Sequence, residues 1–136
     1  MAAYTVVNLK QDVEDQAPKF GFAPNLEARF AAGALQLEHS GVSYQRYAPN
    51  FRQPFGHKHK RQEEVYVVLA GSGRMKLDDE IVELKQWDAV RVPPEVTRCF
   101  EGGPDGLELI AFGAPRTGPP NAPNEDAEPI PSWWTD

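Results

Sequence analysis

The sequence contains a single cysteine, Cys99, among its 136 residues. An intrachain disulfide and a zinc site built from several cysteines are therefore both excluded. No apolar run approaches the roughly 18 residues of a membrane span, and Asn8 and Lys10 interrupt the only apolar stretch at Met1–Lys10, where a signal peptide would lie. These absences predict a cytoplasmic protein that has no membrane partner.

Positive charge is also scarce. Lysine and arginine total 14 against 20 acidic residues, which gives a net charge of −6. Proteins that bind DNA or RNA gain affinity by neutralising phosphates with basic side chains, so this balance argues against a nucleic-acid partner. Hydrophobic residues make up 40% of the chain, enough for one compact core. The length leaves no room for a second core, so we expect one domain.

Proline and glycine, by contrast, are abundant, with 13 and 11 residues. They separate short segments that are alternating, β-branched or aromatic and that predict strands over residues 26–30, 42–48, 64–69, 74–77, 81–84, 89–92, 97–100 and 107–112. Glycine-rich turns are expected at residues 71–73 and 102–106, and a hairpin turn at residues 78–80. Such segments at near-regular intervals, with no convincing helix between them, are typical of a β-sandwich or a small β-barrel. The fold class expected from the pattern is all-β.

The two ends of the chain differ from this middle part. Residues 1–25 are expected to form an N-terminal strand, over residues 4–9, followed by a polar arm. The barrel is expected over residues 26–112. Residues 113–136 are rich in proline and predict an extended tail outside the core. The pair Trp133–Trp134 either pins this tail to the barrel or to a partner subunit, or caps the mouth of a pocket.

One short stretch carries candidate chemistry. His57 and His59 are two residues apart, so on a strand both imidazoles project from one face. Glu64 begins the next predicted strand and can face back toward them. Two imidazoles and one carboxylate form a ligand set suited to Fe(II), Mn(II), Ni(II) or Zn(II), with further positions for water or substrate. The sequence therefore predicts a divalent transition-metal cofactor.

These residues resemble the first sequence motif of the cupins. Four positions match its His-x-His pair, its glutamate and its closing glycine: His57, His59, Glu64 and Gly71. Phe51 stands where the motif begins with glycine. In the second motif only Pro93 matches. Four other residues replace its two glycines, its histidine and its asparagine: Trp87, Glu95, Arg98 and Gly102.

The resemblance covers about residues 41–112. It implies a single-domain jelly-roll β-barrel that is commonly dimeric and holds one interior metal or ligand site. A homodimer is therefore expected. The resemblance implies no particular reaction, because cupins include isomerases, dioxygenases, decarboxylases, storage proteins and sensors.

Arg98 is the departure with the largest consequence, because the family pattern has its fourth metal ligand at this position. A guanidinium does not deprotonate to bind a metal, and its charge opposes a cation nearby. Three arrangements are open. Arg98 turns away and three ligands hold the metal, or it turns inward, pairs with Glu64 and fills the vacant volume. In the third, Arg98 binds an anionic ligand directly.

Two further residues are predicted to contact a ligand. Tyr66 shares the inward face of its strand with Glu64 and is expected in the wall, with its hydroxyl satisfied. Arg46, on the strand before the histidines, is a second candidate. Residues 41–74 hold six basic residues against two acidic ones, a local excess that predicts a small anionic ligand. Cys99, which alternates away from Arg98, is expected to be a buried structural thiol.

The motif supports three functional interpretations. The first is a small metal-dependent enzyme of the dioxygenase or isomerase type. The second is a non-enzymatic binding or sensing module in which Arg98 fills the vacant ligand position. The third is a structural barrel whose histidines bind nothing.

Overall fold

The computed structural model describes residues 3–118, 126–131 and 134. A 3-10 helical turn, Ala17–Phe20, precedes the first strand, and a single helical turn, α1, spans Ala32–Leu35. The strands in chain order are β1 Leu26–Phe30, β2 Gly41–Tyr47, β3 Phe55–His59, β4 Glu63–Leu77, β5 Glu80–Lys85, β6 Ala89–Val92, β7 Arg98–Ala114 and β8 Ala127–Pro131. The all-β prediction is confirmed, and the strands form a curled jelly-roll sheet.

Strands β4 and β7 organise the barrel. They pair antiparallel along nearly their whole length, from Glu63 opposite Ala114 to Leu77 opposite Arg98. β4 also pairs with β5 and β6, while β7 also pairs with β2 and β3. Both strands therefore belong to both halves of the barrel, which positions the start of β4 beside the strand that carries the histidines.

The sequence predicted β4 and β7 each as two strands separated by a glycine-rich turn, and this was wrong. Each is one strand, and its glycines lie where the two backbones approach closely. Gly71 has a φ of +76°, and a Cβ there would meet the carbonyl oxygen of Gly106 at 2.1 Å. The pairing shifts register between Val68 and Ala70 and again between Gly71 and Gly73. The glycines thus mark irregularities that bend a continuous strand.

The interior between the strands is filled by large apolar side chains. The most deeply buried include Tyr47, Tyr66, Met75, Phe100 and Leu109, each at most 1% exposed. The ring of Phe100 packs against both tyrosine rings, at centroid distances of 5.3 Å to Tyr47 and 5.0 Å to Tyr66. Tyr47 also lines the cavity described below, so this core borders it.

The strand predicted over residues 4–9 does not form. The Asn8 side chain accepts hydrogen bonds from the backbone N–H groups of Lys10 and Gln11, which closes a turn instead. Tyr4 and Val6 remain exposed. The arm rejoins the sheet through an isolated bridge between Asp15 and Arg29, and the Gln16 N–H donates to the Ala28 carbonyl at 2.8 Å.

Part of the segment predicted to lie outside the barrel is one of its strands. β8 pairs antiparallel with β3, from Phe55 opposite Pro131 to His59 opposite Ala127. β8 ends the strand order β1-β2-β7-β3-β8, and an edge strand tolerates its two prolines because it need not donate on both sides. Its alternation was hidden by these prolines.

In the part of the chain that the structure describes, no helix has the length and hydrophobicity of a membrane span.

Candidate metal centre

The two histidines of β3 and the second residue of β4 meet inside the barrel. His59 Nε2 lies 3.1 Å from Glu64 Oε1, and His57 Nε2 lies 3.4 Å from the same oxygen. One ligand atom from each of the three residues lies within 4.8 Å of the others. The side chains of His59 and Glu64 are 3% and 13% exposed, so the group is shielded from bulk solvent.

The charge states of this group suit a metal. Burial lowers the pKa of His57 below its ordinary value, despite the opposing effect of Glu64, so its imidazole is neutral near pH 7. Burial alone would raise the pKa of Glu64, but the interactions of its carboxylate with the His57 and His59 rings outweigh burial and hold that pKa below its usual range. A neutral imidazole and an ionised carboxylate are the ligand forms that a divalent metal requires. The three residues therefore fit such an ion.

Arg98 turns inward and is completely buried. Its Nε lies 3.9 Å from Glu64 Oε1, while its two terminal nitrogens donate to the backbone carbonyls of His57, at 3.4 Å, and of Pro93, at 3.1 Å. The guanidinium is thus held behind Glu64, in the orientation of the second arrangement considered above. It is not among the residues that line the cavity described below.

Tyr66 also contacts Glu64 from behind. Its hydroxyl donates a hydrogen bond of 2.6 Å to Glu64 Oε1, and its side chain is 1% exposed. Burial raises the pKa of this hydroxyl well above its ordinary value, so it stays protonated and donating. Tyr66 therefore orients the carboxylate and has no surface on the cavity.

A second carboxylate, Asp126, approaches the far side of His59. Its Oδ2 lies 3.5 Å from His59 Nδ1, and its side chain is 5% exposed. The same oxygen accepts hydrogen bonds from the backbone N–H groups of Lys60, Arg61 and Gln62, at 2.8 to 3.0 Å. Sequence reasoning missed Asp126 because nothing in the proline-rich segment around it signals a site.

The histidines and Glu64 lie in the wall of a cavity of about 300 Å³. Most of the remaining wall is apolar and comes from β1, β2, β3 and β8, including Leu26, Phe30 and Phe55. Polar groups come from Ser43, Gln45, Gln53 and Gln62. Among the described residues that line the cavity there is no lysine or arginine.

Arg46, predicted to bind a ligand, lies on the outer face of β2. Its Nε pairs with Glu27 at 3.0 Å, away from the cavity. Other basic residues of segment 41–74 are paired in the same way by acidic residues from elsewhere in the chain. Arg52 and Arg74 contact Glu101, and Lys58 lies 3.9 Å from Glu128. The local excess of positive charge in the sequence is therefore compensated in the fold.

Two other sequence predictions concern residues outside this site. Cys99 is buried, 1% exposed, on the strand that carries Arg98. Trp134 donates from Nε1 to the backbone carbonyl of Gln53 at 3.1 Å, and its ring lies 4.4 Å from the Arg52 guanidinium carbon. It pins the chain to the barrel and does not line the cavity. Trp133 lies outside the described residues.

Comparison with known proteins identifies similar chains. Over 60 residues the chain is 42% identical to an uncharacterised protein of Methanocaldococcus jannaschii. That match covers 43% of this chain and 48% of the relative, so it spans about half the length of each.

Solved structures extend the similarity to the whole barrel. A cupin protein from Bacteroides fragilis matches with a TM-score of 0.69 at 23% identity, covering 90% of this chain and 92% of that one. Streptomyces PAC13, in a variant solved with uridine, matches with a TM-score of 0.71 at 16% identity, covering 97% and 93%. At these identities the likeness concerns the fold.

The sequence also matches a protein family. Residues 43–109 match the family model of the cupin domain. This stretch contains the histidine pair, Glu64, Gly71 and Arg98. Together with the eight-stranded barrel around them, it shows that the chain belongs to the cupin superfamily.

Proposed function

We propose that this protein binds a divalent transition metal through His57, His59 and Glu64 and a small organic ligand in the adjoining cavity, acting as a metal-dependent enzyme of the isomerase or dioxygenase type. The observation that carries the proposal is the convergence of both Nε2 atoms on Glu64 Oε1, at 3.4 Å and 3.1 Å, in the cavity wall. Packing alone gives no reason to bury three such groups together.

A bound divalent metal would supply Lewis acidity at positions that the protein leaves open. The chain's own residues prepare those positions. His57 is neutral and available as a donor. Tyr66 and Arg98 contact Glu64 from the side away from the cavity, so the carboxylate is oriented without obstructing access.

The cavity favours a ligand with an apolar body and a few hydrogen-bonding groups. Its wall is mainly aliphatic and aromatic, and beyond the histidines and Glu64 its polar part includes the Gln45 amide and the Ser43 hydroxyl. Uridine in the Streptomyces neighbour supports a small organic ligand. The sequence predicted an anionic ligand. We propose it only as an acidic group that binds the metal itself, because no lysine or arginine is among the described residues that line the cavity.

Metal analysis of the protein purified without chelator or a metal-affinity step tests the proposal. We expect near-stoichiometric metal in the wild type, or after incubation with Fe(II), Mn(II), Ni(II) or Zn(II), and its loss in His57→Ala. His39→Ala is the matched control, because His39 is 90% exposed and far from the site in sequence. Absence of metal from the wild type under all four conditions would falsify the metal site.

A second candidate function is favoured by Arg98. Its guanidinium is completely buried beside Glu64, so the carboxylate already has a cationic neighbour. In this alternative the barrel is a non-enzymatic module that binds or senses a small molecule, and Arg98 occupies the place of a metal ligand. Ligand binding that is unaffected by chelator, in a protein that takes up no metal, would favour it.

We also propose that the protein is a homodimer in the cytoplasm. The dimer is supported by the family resemblance, and Phe112, 49% exposed on β7, is a candidate for the contact. Sedimentation at several concentrations tests the assembly, and Phe112→Glu should shift it toward the monomer. A wild-type monomer at all concentrations would contradict the proposal.

A further inference from the structure

The C-terminal segment brings a carboxylate to the outer side of a proposed metal ligand. Asp126 immediately precedes β8, and its Oδ2 lies 3.5 Å from His59 Nδ1. Both side chains are at most 5% exposed. His59 Nδ1 has no hydrogen-bond partner among the described residues, although its exposed area is essentially zero. A buried ring nitrogen in this position needs a polar neighbour, and Asp126 is the one that the fold provides.

The approach is fixed by the backbone. Asp126 Oδ2 accepts three N–H groups from the connection between β3 and β4, residues 60–62. Lys60 N also donates to the Asp126 carbonyl at 3.2 Å, and His59 pairs with Ala127 in the sheet. The carboxylate is therefore held at this place independently of the imidazole. Three N–H donors also lower its pKa, against the effect of burial, so it carries negative charge.

We infer that Asp126 is a positioning residue that keeps the ring proton of His59 on Nδ1 and leaves Nε2 available to the metal. Each nitrogen of His59 faces a carboxylate, and an imidazole that binds a metal through Nε2 carries its one ring proton on Nδ1. Without the charge of Asp126, Nε2 is the better place for the proton, because Glu64 Oε1 lies 3.1 Å away. A proton on Nε2 blocks the atom that would bind the ion.

The matched variants are Asp126→Asn and Glu128→Gln. The amide oxygen of the introduced asparagine can keep the backbone hydrogen bonds, so the first variant removes the charge with the least change in shape. Glu128 lies two residues further on, in β8, and its side chain is 43% exposed and 3.9 Å from Lys58. Both variants remove one negative charge from the same part of the chain.

Long-range proton–nitrogen NMR of the metal-free protein locates the His59 ring proton. In the wild type and in Glu128→Gln we expect the ring proton on Nδ1 and none on Nε2, whereas in Asp126→Asn we expect it on Nε2. The second readout is Zn²⁺ affinity by competition with a chromophoric chelator, expected to fall about tenfold in Asp126→Asn and less than twofold in Glu128→Gln.

The zinc readout rests on the proposed function, and the ring-proton readout does not. If the wild type binds no Zn²⁺, the metal proposal fails, while the position of the ring proton still tests Asp126. A wild-type His59 without a proton on Nδ1, or an unchanged ring in folded Asp126→Asn, overturns the inference. Should Asp126→Asn not fold, the wild type alone decides, because its Nδ1 proton is either present and protected from exchange or it is not.

Discussion

A single oxygen, Glu64 Oε1, is the meeting point of the site. It lies within 3.4 Å of the Nε2 atoms of both histidines and accepts a hydrogen bond from the Tyr66 hydroxyl. The Nε atom of Arg98 lies 3.9 Å away. Four neighbours from three strands thus compensate one buried charge. Removing any of them changes the electrostatic environment that a metal would meet.

Arg98→His is expected to raise metal affinity at least tenfold, because it removes a buried cation beside Glu64 and offers a neutral donor. The measurement is Zn²⁺ or Ni²⁺ titration of the metal-free variant, with the unfolding midpoint recorded in parallel. Arg46→His is the control, since Arg46 lies on the outer face with Glu27. Unchanged or weaker binding by folded Arg98→His would show that residue 98 cannot act as a fourth ligand.

Residue-level prediction from the sequence succeeded where spacing determines direction. The alternation of His57 and His59 on one strand and the position of Glu64 at the start of the next required no long-range information. Arg46 was a candidate for the cavity, but it lies on the outer face. Alternation along β2 shows which residues share a face, and only the pairing of β2 with its neighbours shows which face points inward. Asp126 could not be found, since it reaches His59 only through the β3–β8 pairing.

At the scale of elements, the close pairing of the long strands β4 and β7 depends on a few glycines. Gly71 and Gly106 both have positive φ and face each other across the pair. Their contact lets two strands of 15 and 17 residues bend together without breaking. Glu64, at the start of β4, lies seven residues before Gly71 and contacts the histidines of β3.

Gly71→Ala is expected to destabilise the protein by several kcal/mol or to prevent folding, since its Cβ would lie 2.1 Å from the Gly106 oxygen. Gly21→Ala is the matched control. Gly21 has a similar φ of +80°, but a Cβ at this position would have nothing within 4 Å. Its cost is therefore limited to backbone strain, about 1 kcal/mol. Urea unfolding measures both, and equal losses would mean that the close contact has no energetic role.

The all-β type of the elements was predictable from the sequence, while their number and continuity were not. Residues 89–92 are bounded by polar residues and prolines, and β6 has these limits. The hairpin around residues 78–80 likewise follows from local turn chemistry. Glycines 102, 103 and 106 resemble a turn locally, and only the opposite strand reveals that they are sites of close approach.

At the scale of the whole molecule, charge pairs connect distant segments. Glu27 on β1 contacts Lys10 of the arm at 2.9 Å, Arg29 at 2.6 Å and Arg46 of β2 at 3.0 Å. Burial would raise the pKa of Glu27, but hydrogen bonds from Arg29, Lys10 and Arg46 lower it to about 2. The arm, β1 and β2 therefore share one ionised carboxylate.

Stability is expected to fall in acid as Glu27 takes up a proton. Its folded pKa is below the ordinary value of 4.5, so its contribution is present above pH 4.5 and is lost as the pH falls toward 2. That contribution amounts to at most about 3 kcal/mol. Urea unfolding between pH 2 and pH 7 should show a flatter pH dependence for Glu27→Gln than for the wild type. Glu38→Gln is the control, because this side chain is 83% exposed, and its stability should depend on pH as that of the wild type does. If Glu27→Gln also showed the pH dependence of the wild type, the ion pairs of Glu27 would contribute nothing to stability.

The pairing of β3 has a consequence for the order in which the site is assembled. Both neighbours of β3, β7 and β8, come later in the chain, and the contact between Lys60 and Asp126 spans 66 positions. During synthesis from the N-terminus, the histidine strand therefore has no earlier strand to join. The two imidazoles emerge from the ribosome well before their scaffold, and the site is completed only when the last strand has been made.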